Sequence, residues 1–409
     1  MKKKTVWLIN QYASTPETGI GGRHYSLATE LARQGYTVYL VAAGYTHILR
    51  HPPRLTQTYE THDADPFSLV WVKTAPYEGA HSKKRILNWF SFSWKLRGLK
   101  RHIPDPPDVI LYSSLSLVGF LGAQHLARHY RARLVFEVRD IWPLTLTELG
   151  NYSERHPFVR FLQWIEDRAY RTSDAVISNL RNSVQHMAGR GMPVEKFTWI
   201  PNGLSVDTGA TSEPLNHESR VQLPLGKFIV GYTGSLGLAN AMEDFIEAAD
   251  ILRDETHIAF VMVGAGAGKE GLKERVRAKQ LLNCHILDPI PKNQIPSMLG
   301  FFDACYIGWK DEGLYRFGIA ANKIFDYLYA GKPIIHAYSG GCDPVGDAAA
   351  GITVKAEDPR AIANGILAMS RLSPDERQVM GSNGHRYVCA HHDYKKLAGK
   401  LAHVLFERR

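Results

Sequence analysis

One short segment of the sequence combines polar chemistry with an apolar setting. Residues 316–335 read RFGIAANKIFDYLYAGKPII, in which Asn322 and Lys323 precede an apolar, helix-like run that contains Asp326. An ammonium and a side-chain amide can both donate hydrogen bonds to phosphate oxygens. The simpler readings are a lysine that extends over apolar surface and an aspartate that caps a helix or complements its dipole. The segment alone leaves these alternatives open.

A glycine-rich loop near the start of the chain is a second candidate for binding an anion. Residues 17–25 read ETGIGGRHY and lie between an apolar run and a helix-period run. Glycines allow close approach of the backbone to a ligand and leave N–H groups available at a helix start. The spacing is not GxGxxG, so a dinucleotide fingerprint is absent, and a tight turn is the alternative. The candidates in this loop are Gly19, Gly21, Gly22, Arg23 and His24.

Two further glycine loops lie in the second half of the chain. Residues 231–245 read GYTGSLGLANAMEDF, where the amides of Gly234 and Ser235 could hold a phosphate. Residues 263–274 read VGAGAGKEGLKE and contain Gly264. This loop is not a P-loop, because its glycines are too closely spaced and a glutamate stands where Ser or Thr is needed. Each loop is a weak signal alone, but three loops that follow strands indicate an anionic ligand more strongly.

The elements that must position these loops are short apolar runs that alternate with longer helix-period runs. Unbroken Val, Ile, Leu and Phe runs are typical of strands buried on both faces of a parallel sheet. Alternation with helices predicts βαβ units and doubly wound sheets, which is the α/β class. The predicted strands are TVWLIN, TVYLVAAG, DVILYSS, RLVFEVR and AVISNL in the first half, and KFIVGYTGS, IAFVMVGAG, CHILDPI, ACYIGW and KPIIHAY in the second.

A segment rich in Pro, Asn, Ser and Gly divides the chain. It runs from Ile200 to Lys227 and contains no long periodic element. A chain of 409 residues is long enough for about two domains. The sequence therefore predicts Rossmann-like domains over 1–204 and 226–385, joined by a linker over 205–225. Because ligands of such sheets bind at the carboxyl ends of the strands, two facing domains would form an interdomain cleft.

The composition limits the classes of partner and compartment. Hydrophobic residues make up 44% and charged residues 22% of the chain, which is ordinary for a globular protein. The net charge of +9 favours anionic partners, although a merely basic surface is the alternative. The four scattered cysteines suggest neither a zinc site nor disulfides, which fits a reducing cytosol. The most apolar window, residues 109–123, is shorter than the ~20 residues of a spanning helix, and the N-terminal apolar run is too short for a signal peptide.

An ordered series of motifs resembles the family 4 glycosyltransferases, which have the two-domain GT-B fold. The matching segments of the first half are NQYASTPETGIGGRHYSLATELARQGYTV, FEVRDIWP and WIPNGL. Those of the second half are GYTGSLGLANAMEDFIEAA, FVMVGAGAGKEGLK, HILDPIPKNQIPSML and FGIAANKIFDYLYAGKPII. The resemblance runs almost end to end and is greatest to the bacterial O-antigen and capsule branch, which is similar to N-acetylfucosamine transferases.

The resemblance implies an enzyme, a retaining glycosyltransferase that moves a sugar from a nucleotide-sugar to an acceptor. The donor would be UDP-linked, would carry an N-acetylated hexosamine or N-acetylfucosamine, and would bind mainly the second domain, without a metal or another cofactor. The acceptor would be a polyprenyl-diphosphate-linked saccharide on the first domain, used in O-antigen, lipopolysaccharide or capsule synthesis. Basic side chains and helix N-termini would meet the diphosphate charge. A C-terminal helix, here within 386–409, often crosses back to the first domain in this family.

The resemblance also assigns roles to single residues. Asp326, five residues before the glycine of the AGKP turn, matches an acidic residue that binds the ribose hydroxyls. The amides of Gly318 and Ile319 would face the diphosphate or sugar, and Asn322 and Lys323 would reach the phosphates. The candidate catalytic residues are Arg139, Asp140 and Lys323. The candidate substrate-binding residues are Gly19, Gly21, Gly22, Arg23, His24, Gly234, Ser235, Asn240, Gly264, Ile290 and Pro291 (for the base), Arg316, Gly318, Ile319, Asn322 and Asp326, with no metal ligand.

Three departures from the family pattern affect these roles. Gly318 stands where the first of two family glutamates would be counted, so that acidic role is not assigned. The segment GSLGLANAME lacks the arginine and lysine that many members use for the diphosphate. Arg139 replaces a histidine before Asp140, and Arg139 would bind phosphate or a sugar hydroxyl. Asp140 would orient Arg139 or bind the sugar or acceptor. The alternative is that the two residues form a buried ion pair. The candidates for the missing diphosphate charge are Lys323, Arg316 and Lys269.

A basic and aromatic segment of the first domain could meet a membrane. Residues 81–105 mix Lys and Arg with Trp, Phe, Leu and Ile, which is the composition of a helix that lies in an anionic interface. The protein would then be cytoplasmic and peripheral on the inner face of the bacterial plasma membrane, where it would meet its lipid-linked acceptor. An ordinary amphipathic helix is the alternative.

Two other functions stay open from the sequence. A nucleotide-sugar 2-epimerase of the same architecture would turn over without an acceptor. A non-catalytic, membrane-docked assembly subunit would bind a sugar nucleotide without turnover, and the missing family charges allow this reading. Nucleic acid is not an expected partner, because the basic residues are spread along the chain and form no recognised module.

Overall fold

The structure is a computed structural model that describes residues 3–79, 82–206, 212–237 and 240–407. It divides into a first unit, Met1–Ser205 with Tyr394–Arg409, and a second unit, Val206–Asp393. Each unit consists of a mainly parallel β-sheet with helices packed against it. The prediction of two Rossmann-like α/β domains is therefore confirmed.

The sheet of the first unit has eight strands in the described part of the chain. Its central strands are apolar and buried along their whole length, as expected for a sheet that is covered on both faces. The strands are β1 (Thr5–Ile9), β2 (Thr37–Ala43), β3 (Tyr59–Asp63), β4 (Ser68–Val72), β5 (Val109–Ser114), β6 (Arg133–Val138), β7 (Ala175–Ser178) and β8 (Phe197–Trp199). Their order is β3-β4-β2-β1-β5-β6-β7-β8, and neighbouring strands are parallel except β3 and β4.

Six helices of the first unit connect these strands. α1 starts directly after Gly22, whose φ of +78° favours glycine, and α5 carries a proline at its first position, where no N–H is needed. The helices are α1 (Arg23–Arg33), α2 (Lys83–Leu96), α3 (Gly119–Tyr130), α4 (Leu144–Glu148), α5 (Pro157–Thr172) and α6 (Ser183–Gly189), with 3₁₀ turns at Arg97–Arg101 and Val194–Lys196.

The sheet of the second unit has six parallel strands among the described residues. They are β9 (Phe228–Thr233), β10 (Ile258–Val263), β11 (Cys284–Leu287), β12 (Ala304–Gly308), β13 (Ile334–Ala337) and β14 (Gly351–Val354), in the order β11-β10-β9-β12-β13-β14. The order reverses beside β9, because β10 and β12 pair with its opposite edges. Ligands of open parallel sheets bind beyond the carboxyl ends of the strands at such a switch point.

The helices of the second unit show clear start signals. α13 is capped by Asp358, and α14 begins with a capping box in which Ser373 and Glu376 exchange hydrogen bonds. The helices are α7 (His217–Val221), α8 (Met242–Ile251), α9 (Lys269–Ala278), α10 (Ile295–Gly300), α11 (Asn322–Tyr329), α12 (Pro344–Asp347), α13 (Pro359–Arg371) and α14 (Pro374–His391), with 3₁₀ turns at Lys292–Gln294 and Gly313–Phe317.

The last helix, α15 (Tyr394–Phe406), belongs to the first unit. Its apolar side chains join those of α1, β1 and β2 in one buried cluster. The ring of Phe406 stacks on Tyr36 with centroids 4.8 Å apart, and the N–H of Tyr394 donates to the carbonyl of Leu204 at 3.0 Å. The C-terminal helix is thus an integral part of the first core.

The division of the chain differs in detail from the predicted boundaries. Of the predicted linker 205–225, all but Ser205 is counted with the second unit and carries α7, while residues 207–211 lie outside the described part. The predicted C-terminal segment 386–409 is split at Asp393, because α14 continues to His391 as a helix of the second unit.

Candidate active site

Two of the predicted glycine loops pack directly on each other beyond β9 and β10. The N–H of Leu236 donates to the carbonyl of Ala265 at 2.9 Å, and the N–H of Gly268 donates to the carbonyl of Leu236 at 3.0 Å. A Cβ at Gly264 would lie 1.8 Å from the carbonyl oxygen of Gly234, so no larger residue fits there. The glycines therefore bring two backbone loops together at the switch point of the sheet; residues 238–239 of the first loop lie outside the described part.

Helix α11 is fastened to the same edge of the sheet. The hydroxyl of Tyr327 accepts a hydrogen bond from the N–H of Thr233 at 2.8 Å and lies 3.3 Å from its hydroxyl. The helix buries Ile324, Phe325, Tyr327 and Leu328. Lys323 lies one turn before Tyr327 on the same face of the helix and likewise reaches the end of β9, whereas Asp326 is exposed.

Lys323 is a partly buried cation held by neutral groups. Its Nζ donates to the hydroxyl of Tyr232 and to Oδ1 of Asn240, the latter at 2.9 Å. The Nζ also lies 4.4 Å from the centre of the Tyr232 ring. Burial lowers the pKa of Lys323 to about 8, because the charged form loses hydration. An anion that binds here would stabilise the charged form.

Asp326 lies one turn along α11 and is open to solvent at one edge. The surrounding protein nevertheless displaces water from the carboxylate and raises its pKa to about 6, while the charge of Lys292 opposes this shift. Lys292 follows Ile290, which is half-buried, and Pro291, which is exposed. Because the charge of Lys292 acts on Asp326, the predicted base-binding segment lies within electrostatic reach of this carboxylate.

Lys269, a candidate for the diphosphate charge, is used inside the second unit. Its Nζ donates to the carbonyl of Leu287 at 3.1 Å and to Oδ1 of Asp288 at 2.5 Å. The Lys269 side chain is mostly buried, whereas Asp288 is exposed. The lysine thus joins α9 to the end of β11, and its charge already has a partner.

The loop before α11 uses part of the backbone that was expected to face the donor. Gly318 has a φ of +103°, and its N–H donates to the carbonyl of Tyr315 at 3.0 Å, so this amide is not directed at a ligand. Ile319 is half-buried, and no hydrogen bond of its N–H occurs in the described part of the chain. Arg316 is exposed, donates to the carbonyl of Gly313 at 2.5 Å and lies over the ring of Phe317 at 4.3 Å. Asn322 is exposed at the start of α11.

A buried network that the sequence did not reveal supports this loop. The fully buried His336 accepts a hydrogen bond from Nε1 of Trp309 at 3.1 Å and donates from Nδ1 to Asp343 at 2.8 Å. Burial would raise the pKa of Asp343, but hydrogen bonds from His336 and Thr353 lower it to about 2. The hydroxyl of Tyr338 lies 3.0 Å from the carbonyl of Tyr315. These contacts hold the loop that carries Arg316.

The glycine loop of the first unit is a compact turn. The N–H of Gly19 donates to the carbonyl of Thr15 at 2.9 Å, and the N–H of Gly21 donates to the hydroxyl of Ser14 at 3.2 Å. Gly21 and Gly22 both have positive φ, +72° and +78°. No side chain among the described residues caps α1. The N–H groups of Gly19 and Gly21 are therefore used within the loop, and anion binding at the helix start stays a prediction.

Arg23 does not have the exposure that a substrate-binding role requires. Its Nε donates to Glu137 at 2.8 Å, one terminal nitrogen donates to the carbonyl of Ile200 at 2.8 Å, and the other donates to the carbonyl of Pro201. Its side chain is 2% exposed. The prediction for Arg23 is corrected accordingly: it is a buried structural residue whose guanidinium binds Glu137 and two backbone carbonyls.

His24 is buried in the same network and is neutral. Oδ1 of Asn10 accepts from the N–H of Tyr12 at 2.9 Å, so its Nδ2 must donate to Nδ1 of His24 at 2.8 Å. The proton of His24 is therefore on Nε2, which donates to Glu137 at 2.5 Å. Burial lowers the pKa of His24, although Glu137 opposes the shift. Burial would raise the pKa of Glu137, but Arg23 and His24 hold it well below its usual range. His24, like Arg23, has no surface to offer a substrate.

Arg139 and Asp140 lie just beyond β6 and do not form the ion pair that was the alternative for them. Neither a hydrogen bond nor a salt bridge joins them within the described ranges. Nε of Arg139 is buried without a hydrogen-bond partner. Asp140 has exposed surface, but the surrounding protein displaces water from its carboxylate and raises its pKa. The positive charge of Arg139 opposes this rise. A buried donor without a partner is rare in proteins and is consistent with a ligand-binding role.

The structure thus groups Gly234, Ser235, Asn240, Gly264 and Lys323 at the carboxyl edge of the second sheet, with Asp326 nearby. The predicted role of the Gly234 amide in holding a phosphate is corrected, because this N–H donates to the carbonyl of Val263 at 2.9 Å. Tyr232 belongs to this group but was not predicted. In the part of the chain that the structure describes, no group of three His, Cys, Asp or Glu residues could hold a metal ion.

Comparison with known proteins identifies the family. Residues 18–208 match a family model described as Glycosyltransferase Family 4, and residues 227–371 match one described as Glycosyl transferases group 1. A relative from Escherichia coli, the colanic acid biosynthesis glycosyl transferase WcaI, is 26% identical over 340 residues, which cover 78% of this chain and 79% of that protein.

Solved structures share the whole fold at low identity. Sucrose-phosphate synthase from Thermosynechococcus elongatus superposes with a TM-score of 0.73 at 16% identity and covers 98% of each chain. HepE of Anabaena, solved in complex with UDP and glucose, superposes with a TM-score of 0.65 at 14% identity over 98% of this chain and 99% of its own. The two Rossmann-like units are therefore those of a GT-B protein. The two family models, which together match most of the chain, and the relative WcaI show that the chain is a member of the family 4 glycosyltransferases.

Proposed function

We propose that the protein is a retaining glycosyltransferase that moves a sugar from a UDP-sugar to a lipid-diphosphate-linked saccharide in surface polysaccharide synthesis. The observation that carries the donor half of the proposal is Lys323, a partly buried ammonium beside two packed glycine loops, with no carboxylate partner in the described chain. Such a site suits a diphosphate, because preorganised cations and N–H groups stabilise negative charge strongly where water is displaced.

Two comparisons support the finer details. The neighbour HepE was solved with UDP and glucose, which favours a UDP-sugar donor. The relative WcaI is named for colanic acid biosynthesis, which favours a polysaccharide product. We further propose that the transferred sugar is an N-acetylated hexosamine or N-acetylfucosamine and that no metal or other cofactor is needed.

The chemistry assigns a different task to each group of residues. Departure of the nucleotide leaves negative charge on the β-phosphate, which Lys323 and the N–H of Ser235 would stabilise, since the N–H groups of Gly234 and Leu236 donate to Val263 and Ala265. Asp326 would accept hydrogen bonds from the ribose hydroxyls. Arg139, whose Nε lacks a partner, would bind a phosphate or sugar oxygen, with Asp140 beside it for the sugar or acceptor. No protein nucleophile is proposed, since the leaving phosphate can take the acceptor proton on the same face.

The acceptor half of the proposal depends on an exposed aromatic surface of the first unit. Leu87 and Trp94 of α2 are each 69% exposed, and Phe90 between them stacks on Phe161 of α5 with centroids 5.8 Å apart. The ring of Trp164 continues the stack at 6.1 Å from that of Phe161.

Cations surround this aromatic surface. Arg97 lies 4.5 Å from the ring of Trp94, and Arg168 lies 5.6 Å from that of Trp164. Apolar rings with basic residues around them suit the interface of an anionic bilayer. We propose that the predicted segment 81–105, of which His81 lies outside the described residues, docks with α5 on the inner face of the bacterial plasma membrane, so that the protein is cytoplasmic and peripheral. No described helix has both the length and the apolar character needed to cross a membrane.

The test is a comparison of nucleotide binding by calorimetry. UDP, GDP, ADP and dTDP are titrated with and without EDTA into the wild type, Lys323→Ala and Asp326→Ala, with Lys355→Ala as an exposed control from the same unit. We expect UDP to bind best, EDTA to change nothing, and each site variant to weaken binding at least about tenfold, as loss of a charge-assisted hydrogen bond does.

Three other outcomes would change the proposal. Preference for GDP would move the donor to another class of nucleotide-sugar. Turnover of a UDP-sugar to its epimer without an acceptor would favour an epimerase of the same architecture. Failure of every nucleotide to bind would overturn the donor site.

A further inference from the structure

The ammonium of Lys323 is one of four groups that form a closed ring of hydrogen bonds. Its Nζ donates to the hydroxyl of Tyr232 and to Oδ1 of Asn240. The Tyr232 hydroxyl in turn donates to the carbonyl of Ser235 at 2.7 Å, and Nδ2 of Asn240 donates to the same carbonyl at 3.0 Å. Lys323 comes from α11, whereas the other three residues come from β9 and the loop after it. The ring therefore joins the helix to the glycine loop.

The shared carbonyl fixes the direction of each hydrogen bond. A tyrosine hydroxyl has one hydrogen, so its donation to Ser235 turns its lone pairs toward the ammonium. An asparagine has one donor end and one acceptor end, so donation by Nδ2 to Ser235 turns Oδ1 toward Lys323. Both acceptors are thus oriented without any contribution from a ligand.

The ring holds the ammonium without neutralising it. Both acceptors are uncharged, and within the described ranges no carboxylate lies at ion-pair distance from Lys323. An ammonium has three N–H groups, so two bonds within the ring leave one for a ligand.

The lysine also lies directly on the backbone of the glycine loop. Gly234 has a φ of +145°, and a Cβ built there would stand 3.0 Å from both Cδ and Nζ of Lys323. Any other residue at position 234 would therefore displace the lysine. The N–H of Gly234 itself donates to the carbonyl of Val263 at 2.9 Å, so the free positive charge at this turn is that of Lys323.

We propose that Tyr232 and Asn240 are positioning residues that hold Lys323 as an uncompensated cation for the donor diphosphate, in place of the arginine and lysine that this loop lacks. The inference rests on the proposed function and adds Tyr232, which acts through the lysine and does not itself touch the donor. Because the diphosphate supplies the only full negative charge in this arrangement, donor affinity depends on the protonation of Lys323.

The direction of this dependence follows from the electrostatics. Burial lowers the pKa of Lys323 to about 8, and a bound diphosphate raises it again by favouring the charged form. Binding is therefore strongest where Lys323 is protonated in the free protein and weakens as the pH rises above about 8. Phosphate groups with a second pKa near ~6 are already ionised above neutral pH and do not contribute to this change.

Calorimetric titration of UDP above neutral pH tests the ring with matched variants. Tyr232→Phe keeps the aromatic ring but removes an acceptor from the charged amine, so we expect affinity to fall about tenfold and the loss of binding to begin at lower pH. Asn240→Asp places a carboxylate beside the ammonium, so we expect weaker UDP binding and a loss that begins at higher pH. Tyr306→Phe is the control, because the Tyr306 hydroxyl is buried in the same sheet without a hydrogen-bond partner.

The opposite directions of the two pH shifts distinguish positioning from general loosening of the loop. Wild-type affinity and pH profile in both variants would overturn the role of the ring while leaving the proposed function in place. Shifts in the same direction would also overturn it. If the wild type binds no nucleoside diphosphate, the proposed function fails and the inference fails with it.

Discussion

Two titratable residues of the second unit, Lys323 and Asp326, have pKa values shifted toward neutrality. Loss of hydration lowers the first to about 8 and raises the second to about 6. Binding sites commonly show such shifts, because they combine burial with charge. A donor that needs the cation for its phosphates and the carboxylate for its ribose binds best between these two values.

At acid pH, protonation of the Asp326 carboxylate limits the affinity for the donor. Because an ionised carboxylate accepts stronger hydrogen bonds than a neutral acid, we expect affinity for a UDP-sugar to rise as the pH increases through about 6. A UDP-sugar is used because its diphosphate is esterified at both ends and does not titrate in this range. Asp326→Asn should have lower affinity and no acid limb. An unchanged acid limb in this variant, measured by calorimetry, would show that another group is responsible.

At the residue level, the sequence identified the charged groups but not their partners. Lys323 was proposed as a phosphate ligand from its place in a motif, and that role stays a prediction. Its partner Tyr232 lies 91 residues away, beyond the reach of any local pattern. Arg23 shows the converse: its place beside three glycines suggested a ligand role, but Glu137, 114 residues later, occupies its guanidinium.

At the level of elements, Glu137 joins three parts of the first unit. It lies in β6 and binds Arg23 and His24 at the start of α1, while Arg23 binds the carbonyls of Ile200 and Pro201. All the side chains of this cluster are buried. The charges of Arg23 and Glu137 balance each other. Removal of either residue would therefore leave the other as a buried charge without a partner, which lowers stability.

Glu137→Gln tests this cluster. The change keeps the shape but leaves Arg23 as a buried cation without a counter-charge, so we expect the free energy of unfolding to fall by ~3–5 kcal/mol. Urea denaturation followed by circular dichroism measures this. Glu270→Gln, which breaks an exposed pair with Lys273, is the control and should change stability by less than ~1 kcal/mol. Equal effects of the two substitutions would contradict the role of Glu137.

The regular elements were predictable where burial on both faces leaves an apolar run. All ten named runs contain strands, whereas β3, β4, β8 and β14 were not named. β4 reads SLVWV and is apolar and buried like the named strands, so its signal was present in the sequence although it was not named. β3 reads YETHD and is an exposed, antiparallel edge strand that pairs only with β4, so it shows no buried pattern. β8 and β14 are short and only partly buried. Their strand geometry depends on pairing with a neighbour that the sequence does not specify locally.

At the scale of the whole molecule, the net charge of +9 and the aromatic surface of α2 and α5 both favour the proposed docking to an anionic membrane. In the proposed docking, positive charge would attract the protein to anionic lipid over about a Debye length, and the exposed rings would then enter the interface. Without the rings, the attraction of the protein to the membrane would be purely electrostatic and would be lost at high salt. Without the positive charge, the rings would give little preference for anionic over neutral lipid.

Vesicle sedimentation separates these contributions. We expect the wild type to bind phosphatidylglycerol-containing vesicles more strongly than phosphatidylcholine vesicles, and less strongly at high salt. The double variant Trp94→Ser and Trp164→Ser should bind at least about tenfold more weakly, since two large apolar side chains leave the interface. Leu282→Ser, at a 91% exposed site of the second unit, is the control. Equal binding by all three proteins would rule out this surface as the docking site.

The place of α15 has a consequence for how the chain is made. Its Leu397 and Leu401 share a core with Leu27 and Leu31 of α1, so the second unit is inserted, in sequence, within the first. A ribosome therefore releases all of the second unit before it releases the helix that completes the first. The domain whose synthesis begins earlier is the later one to finish folding, and until then the face of α1 that α15 covers is open to chaperones or to aggregation.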